Sequence, residues 1–267
     1  MLRFFAFSLL IFSLFSCFKN NAQQRSGAEV SNDSSGETES THISDVLTNS
    51  QIPEKIREKI LQSVAQGPSF ILELYSIIQT DPYLWVLVDK EHPFIKENYE
   101  PDDLVELKNS GSFRVNRDGL FLRRAAVTAL EEMAAAAKKD GITLVASSAY
   151  RSFSYQEVVY ARNVKEMGQE AADRESARPG RSQHQLGLVV DFGSITDAFA
   201  TTSEGRWLAA NASRFGWSLS FPEGYESVTG YRWECWHYRY VGKELAQFID
   251  NYFDGIQQYA LRFIHEF

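Results

Sequence analysis

The stretch Ser182-Gln-His184-Gln-Leu-Gly187-Leu-Val-Val-Asp191-Phe192 decides how this chain is read, and a second stretch, Glu234-Cys-Trp236-His237, answers it downstream. Leu188-Val-Val-Asp191-Phe192 is an apolar run of strand length and reads as a buried strand. A carboxylate ending such a run is costly to bury unless something cationic pairs with it. Gly187 lets the backbone turn tightly between the polar segment and the strand. The second cluster, Tyr231-Arg-Trp-Glu-Cys-Trp-His-Tyr-Arg-Tyr240, is rich in aromatic residues and also reads as a strand. Regular alternation puts Glu234, Trp236 and Tyr238 on one face and His237 on the other. Glu234 and His237 therefore converge on one point only if the strand ends or bulges between them.

Together the two stretches supply two imidazoles, one carboxylate able to hold a metal, and a second carboxylate beside the second imidazole. That is the inventory of a catalytic zinc site, with three protein ligands, an open position for water, and a base. Taken singly, an Asp after an apolar run is usually a cap and a His near Trp is usually packed in a core. The chain has only five His, and two of them fall in these segments. His42, His92 and His265 lie in a linker, a loop and the C-terminal tail and are left out of the site.

The pattern Ser182-x-His184-x-x-Gly-x-x-x-Asp191 followed by Glu234-x-Trp-His237 resembles the VanY-type D-alanyl-D-alanine carboxypeptidases. These are zinc peptidases related to the VanX dipeptidases and the hedgehog-like fold. The likeness continues through Leu87-Val-Asp-Lys-Glu-His-Pro93, Tyr99-Glu-Pro-Asp-Asp-Leu104, Ser147-Ser-Ala-Tyr-Arg151-Ser-Phe-Ser-Tyr-Gln156 and Phe215-Gly-Trp217, so it covers about residues 85–250. It implies His184, Asp191 and His237 as ligands of Zn2+ and Glu234 as the catalytic base that deprotonates a zinc-bound water. Arg151 then faces the substrate carbonyl, where a fixed cation helps most as negative charge develops. Its position after the apolar strand 142–146, at a strand-to-helix turn, fits such a role better than a surface ion pair does. Ser182, Tyr150 and Gln156 are candidates for gripping the substrate's terminal carboxylate. The alternative for the last is that Ser154 caps a helix and Gln156 is solvated. Cys235 stands where the family usually carries Pro, Ser or another small residue. It reads as a small buried hydrophobe pointing away from Glu234.

The expected architecture is α+β: a single zinc peptidase domain at 83–267, with an antiparallel sheet flanked by helices, preceded by a helical extension at 46–82. Helices are expected over residues 53–65, 70–78, 120–139, 205–215 and 245–259. Residues 18–45, rich in Asn, Gln, Ser, Gly and Glu, read as a flexible tether. Residues 1–17 read as an export signal: Arg3, a largely apolar run over 4–15, and Leu14-Phe-Ser-Cys17, which resembles a bacterial lipobox. That predicts a lipoprotein held on the outer face of a membrane through lipidated Cys17. Cys235 is then left without an intrachain partner.

A net charge of -8 argues against a nucleic-acid partner, which needs a basic face. No obligate protein partner is indicated. The resemblance implies hydrolysis of the terminal D-Ala of peptidoglycan stem peptides. An L,D-carboxypeptidase acting on tetrapeptide stems, or a catalytically silent peptidoglycan-binding module, are the alternatives.

Overall fold

The structure, a computed structural model, describes residues 34–94 and 98–267, with side chains from residue 40. The export signal and Cys17 lie outside the described residues. Residues 40–267 form one compact unit.

The apolar run becomes β5 (Val189–Phe192), buried at every position. It is the middle strand of a five-stranded sheet ordered β2 (Phe113–Val115), β4 (Leu144–Ser148), β5, β7 (His237–Tyr240), β6 (Trp217–Leu219). The sheet is antiparallel except that β2 and β4 run parallel. Its register positions the site: Asp191 lies opposite His237 on one side and, after a shift in pairing, opposite Ser148 on the other. Directly opposed residues bring their side chains within about 5 Å of each other. A separate ribbon pairs β1 (Leu104–Glu106) with β3 (Phe121–Arg123).

The expected helix over 120–139 starts later than its apolar pattern indicates. Residues Phe121–Arg123 are drawn into β3, and α5 runs from Arg124 to Lys139. It buries Ala126, Ala129, Leu130, Met133, Ala134 and Ala137, a stripe of helical spacing that packs on the sheet strands. Residues 205–215 split into a helix (Ser203–Asn211) and a 3-10 turn (Ala212–Phe215). The strand expected over 231–240 is only four residues long, because the chain turns at Glu234 before β7 begins.

The helical extension is an integral part of the unit. Helices α1 (Ser34–Asn49), α2 (Glu54–Gln66) and α3 (Ser69–Ile78) share one apolar cluster with α10 (Lys243–Tyr252) and α11 (Gln257–Glu266). The reading of 18–45 as flexible throughout is corrected from residue 34 onward. Ile43, Val46 and Leu47 place an apolar stripe on an otherwise polar segment, and all three are buried. Phe70 sits at the centre, its ring 4.9–5.7 Å from those of Phe248, Tyr252 and Phe263. The single helix expected over 245–259 is two, because Asp254 and Gly255 take positive φ and turn the chain between them.

A fully buried guanidinium, that of Arg239, ties β7 to the segment 83–86 that follows α3 in the chain. It donates from Nη2 to the carbonyls of Tyr83, Leu84 and Val86 at 2.9–3.2 Å, and burial pushes its pKa down to about 9.

Candidate metal centre and its cleft

Ser182 opens the site segment. Its Oγ accepts the backbone N–H of His184, capping a 3-10 turn (Gln183–Leu186) that Gly187 ends at φ +68°. A Cβ at Gly187 would lie 3.0–3.1 Å from the side chains of Arg123, Leu104 and Pro101, so the position is tight as well as left-handed. This turn feeds directly into β5 and brings His184 beside Asp191. His184 Nδ1 donates to the carbonyl of Ala149 at 2.7 Å, which leaves Nε2 facing Asp191 Oδ2 at 3.3 Å. His237 is held the opposite way: Nε2 points at Gln183 Oε1 at 3.3 Å, and Nδ1 lies 3.2 Å from both Asp191 Oδ1 and Glu234 Oε2. The outer partners therefore fix each ring so that one nitrogen faces the cluster.

One ligand atom from each of His184, Asp191 and His237 can be chosen so that all lie within 4.8 Å of one another, and the three residues are buried. The sequence's demand on Glu234 is met by a turn: His237 N–H bonds the Glu234 carbonyl at 3.1 Å, and the strand starts only after it. Both side chains then reach the same point.

Electrostatics sharpen the arrangement. Burial pushes His184 down to about 4, with the Arg151 cation adding to the effect. Burial also opposes protonation of His237, yet Asp191 and Glu234 hold it up at about 9. Burial raises the Glu234 carboxyl above its ordinary range. A buried carboxylate, Asp191, and a partly buried one, Glu234, thus converge on one point and favour a cation there. The donor set, two imidazoles and a carboxylate, suits zinc. Asp191 Oδ1 is buried and faces the His237 ring nitrogen at 3.2 Å without a well-formed hydrogen bond, so it retains capacity for a metal.

The cluster forms part of the wall of a cleft of about 500 Å3. Arg151 lines it, with Nη2 bonded to Asp191 Oδ2 at 3.0 Å and to Ser148 Oγ at 2.9 Å. Ser182 also lines the cleft, although its hydroxyl is engaged in the cap.

Two candidates are not brought to the cleft. Gln156 is buried, with Nε2 donating to the carbonyl of Ala177 at 2.7 Å, because the helix is capped by Ser152 and turns Gln156 inward. Tyr150 points its hydroxyl into a buried position without a hydrogen-bond partner, and burial pushes it up to about 12. Cys235 is buried with Sγ 3.6 Å from the carbonyl of Thr196, and it takes no part in the metal cluster.

Sequence reasoning missed Gln183 and Ser220. Ser220 Oγ donates to Gln183 Oε1 at 2.8 Å, the same oxygen that faces His237, and Gln257 of α11 adds Nε2 to the carbonyl of Ser218 at 3.3 Å. Gln183 stands between two site residues, but nothing local in the sequence reveals a contact made across 37 positions.

The family model described as D-alanyl-D-alanine carboxypeptidase (VanY) matches residues 119–243. YodJ of Bacillus subtilis (strain 168) is 37% identical over 180 residues, which cover 65% of this chain and 66% of YodJ. The chain thus spans about two thirds or less of the first curated relatives it matches. Among solved structures, the LdcB LD-carboxypeptidase is 34% identical with a TM-score of 0.56, covering 66% of this chain and 89% of that one. The D,D-pentapeptidase VanY from a VanB-type resistance cassette, solved with Zn(II), is 30% identical with a TM-score of 0.54, covering 65% and 96%.

Proposed function

The chain belongs to the VanY family of D-alanyl-D-alanine carboxypeptidases, and from that premise we propose that it is a zinc-dependent D,D-carboxypeptidase removing the terminal D-Ala of peptidoglycan stem peptides. The observation that carries the reading is the convergence of His184, Asp191 and His237 with Glu234 Oε2 only 3.2 Å from His237 Nδ1. Those three residues would hold the metal. Zinc, when bound, supplies Lewis acidity that polarises a carbonyl and lowers the pKa of water to about 7. Glu234 takes the proton of the attacking water and returns it to the leaving amine. Its burial raises its pKa, which makes the carboxylate a better proton acceptor than an exposed one. Arg151 presents a fixed cation at the cleft wall to the developing negative charge. Ser182 is the remaining candidate for holding the substrate carboxylate.

The second reading is an L,D-carboxypeptidase acting on tetrapeptide stems. It is favoured by the likeness to LdcB, which is as strong as that to VanY. A silent binding module is disfavoured by the presence of Glu234 at the cluster. Export and tethering through lipidated Cys17 belong to the same proposal, since the stem peptides lie outside the membrane. Labelling of the wild-type chain with a fatty acid, lost in Cys17→Ser, tests it.

The deciding experiment incubates the zinc-loaded protein with pentapeptide and tetrapeptide muropeptides separately and reads the products by mass. Loss of one alanine from the pentapeptide alone, reduced about 100- to 10,000-fold in Glu234→Ala, establishes the D,D activity. Trimming of the tetrapeptide moves the assignment to the L,D reading. Cleavage of neither, with zinc bound, removes the hydrolase reading.

A further inference from the structure

The cleft is cationic in a chain whose net charge is -8. Five arginines line it against three carboxylates, two of which, Asp191 and Glu234, belong to the metal cluster. Most of these arginines are already engaged. Arg151 is bound to Asp191, Arg232 to Asp197 at 2.7 Å, and Arg181 to the carbonyl of Lys90. Arg117 and Arg162 are different: both are exposed on the cleft wall, and neither guanidinium makes a hydrogen bond or an ion pair with any described residue. An unengaged cation on the wall of a cleft of about 500 Å3 adds nothing to the fold, but it attracts an anionic group on whatever enters.

We propose that Arg117 and Arg162 form an anion-selecting subsite that makes the enzyme prefer peptides carrying a second free carboxylate in addition to the terminal one. The proposal rests on the carboxypeptidase reading and specifies its substrate class: stem peptides whose γ-linked glutamate keeps its α-carboxylate, in preference to the amidated form. The metal cluster, with Arg151 and Ser182, serves the scissile bond and the terminal residue. Arg117 and Arg162 line the same cleft but bond none of the cluster residues, which leaves them for another part of the peptide.

The test measures binding of two pentapeptides to the full-length, zinc-loaded Glu234→Ala protein by calorimetry. The peptides are identical except for γ-D-glutamate in one and its α-amide in the other. At low salt the acid form is expected to bind about five- to tenfold more tightly, the size that two partly exposed ion pairs allow. That ratio falls toward one in the Arg117→Gln/Arg162→Gln variant and at high salt. It persists in Arg57→Gln, which removes an arginine from α2, away from the cleft.

Equal binding of the two peptides, or binding of neither, overturns the subsite. A double variant that weakens both peptides equally also overturns it, by assigning the arginines to the terminal carboxylate that both peptides share. If the wild-type protein cleaves neither peptide while the binding ratio and its loss in the double variant hold, the hydrolase reading fails and the subsite stands.

Discussion

The helical layer and the sheet bury very different material. Over residues 40–78 the only buried polar residue among those described is Ser50, and the layer's centre is a cluster of Phe, Ile and Leu. The ten residues 182–191 alone bury Ser182, Gln183, His184, Gln185 and Asp191. Apolar burial is non-directional, at about 25 cal/mol per Å2, so the helical layer stabilises the chain without dictating geometry. A buried polar group is tolerated only with its partner in place, so the segment 182–191 fixes geometry, while the sheet is stabilised by an apolar cluster of its own that includes Leu130, Leu188, Val190, Phe192 and Trp217. The chain thus carries two apolar clusters, and a polar segment that fixes geometry is built onto only the one under the sheet. Polar side chains that cross the seam between them include Gln257 and Gln258 of α11, and Lys243 of α10, whose Nζ bonds Glu132 of α5 at 2.7 Å.

The comparison breaks if damage on one side is felt on the other. Phe70→Ala is expected to cost about 3–5 kcal/mol of unfolding free energy, measured by denaturant titration. The folded fraction should still bind one zinc per chain. Loss of zinc stoichiometry in molecules that remain folded would show that the two regions are a single cooperative site.

Gln183→Leu sharpens the comparison from the other side. It removes the acceptor that orients His237, and zinc affinity should fall about 10- to 100-fold in competition with a chromophoric chelator. The zinc-free protein should melt within a few degrees of wild type. An unchanged zinc affinity would remove Gln183 from any positioning role.

The smallest effect is expected at the seam. Asp89 is buried, which alone would raise its pKa, but the N–H groups of Glu91 and His92 and the His92 ring hold it below the usual carboxylate range. Its other oxygen accepts from Gln258 Nε2 at 2.6 Å. Because the folded chain prefers the ionised form, this contribution is complete above the unfolded carboxylate pKa of about 4 and is lost as pH falls through the folded value. The stability gap between wild type and Asp89→Asn, from urea unfolding at pH 7 and pH 3, should therefore narrow in acid. A gap that is constant or widens in acid would show that the carboxylate is not held ionised by these partners.

What the sequence disclosed follows the same division. The strand at 189–192 and the helix spacing of 126–137 were legible because burial periodicity is local. The convergence of Glu234 with His237 was legible only as a condition on the strand, and a turn satisfied it. The helix from residue 34 was hidden because three apolar residues sit among many polar ones, and their value depends on α10 and α11 some 200 residues away. Gln156 was misplaced because helix phase depends on the cap, which is Ser152 rather than Ser154. The Gln183–Ser220 contact had no sequence signal at all, since it exists only once the strands have paired.

The ring contacts of Phe70 with Phe263, and of His42 with Phe267, mean that the first described helices are completed by the last one. During synthesis, α1 to α3 leave the ribosome with their apolar faces uncovered, to be covered first by α10 and fully only by α11. The catalytic sheet, whose last strand ends at Tyr240, has its full set of strands before that moment. Closure of the helical layer is therefore a late step that waits for α11. A truncation removing α11 should yield a protein that engages chaperones and proteases despite carrying every residue of the metal cluster.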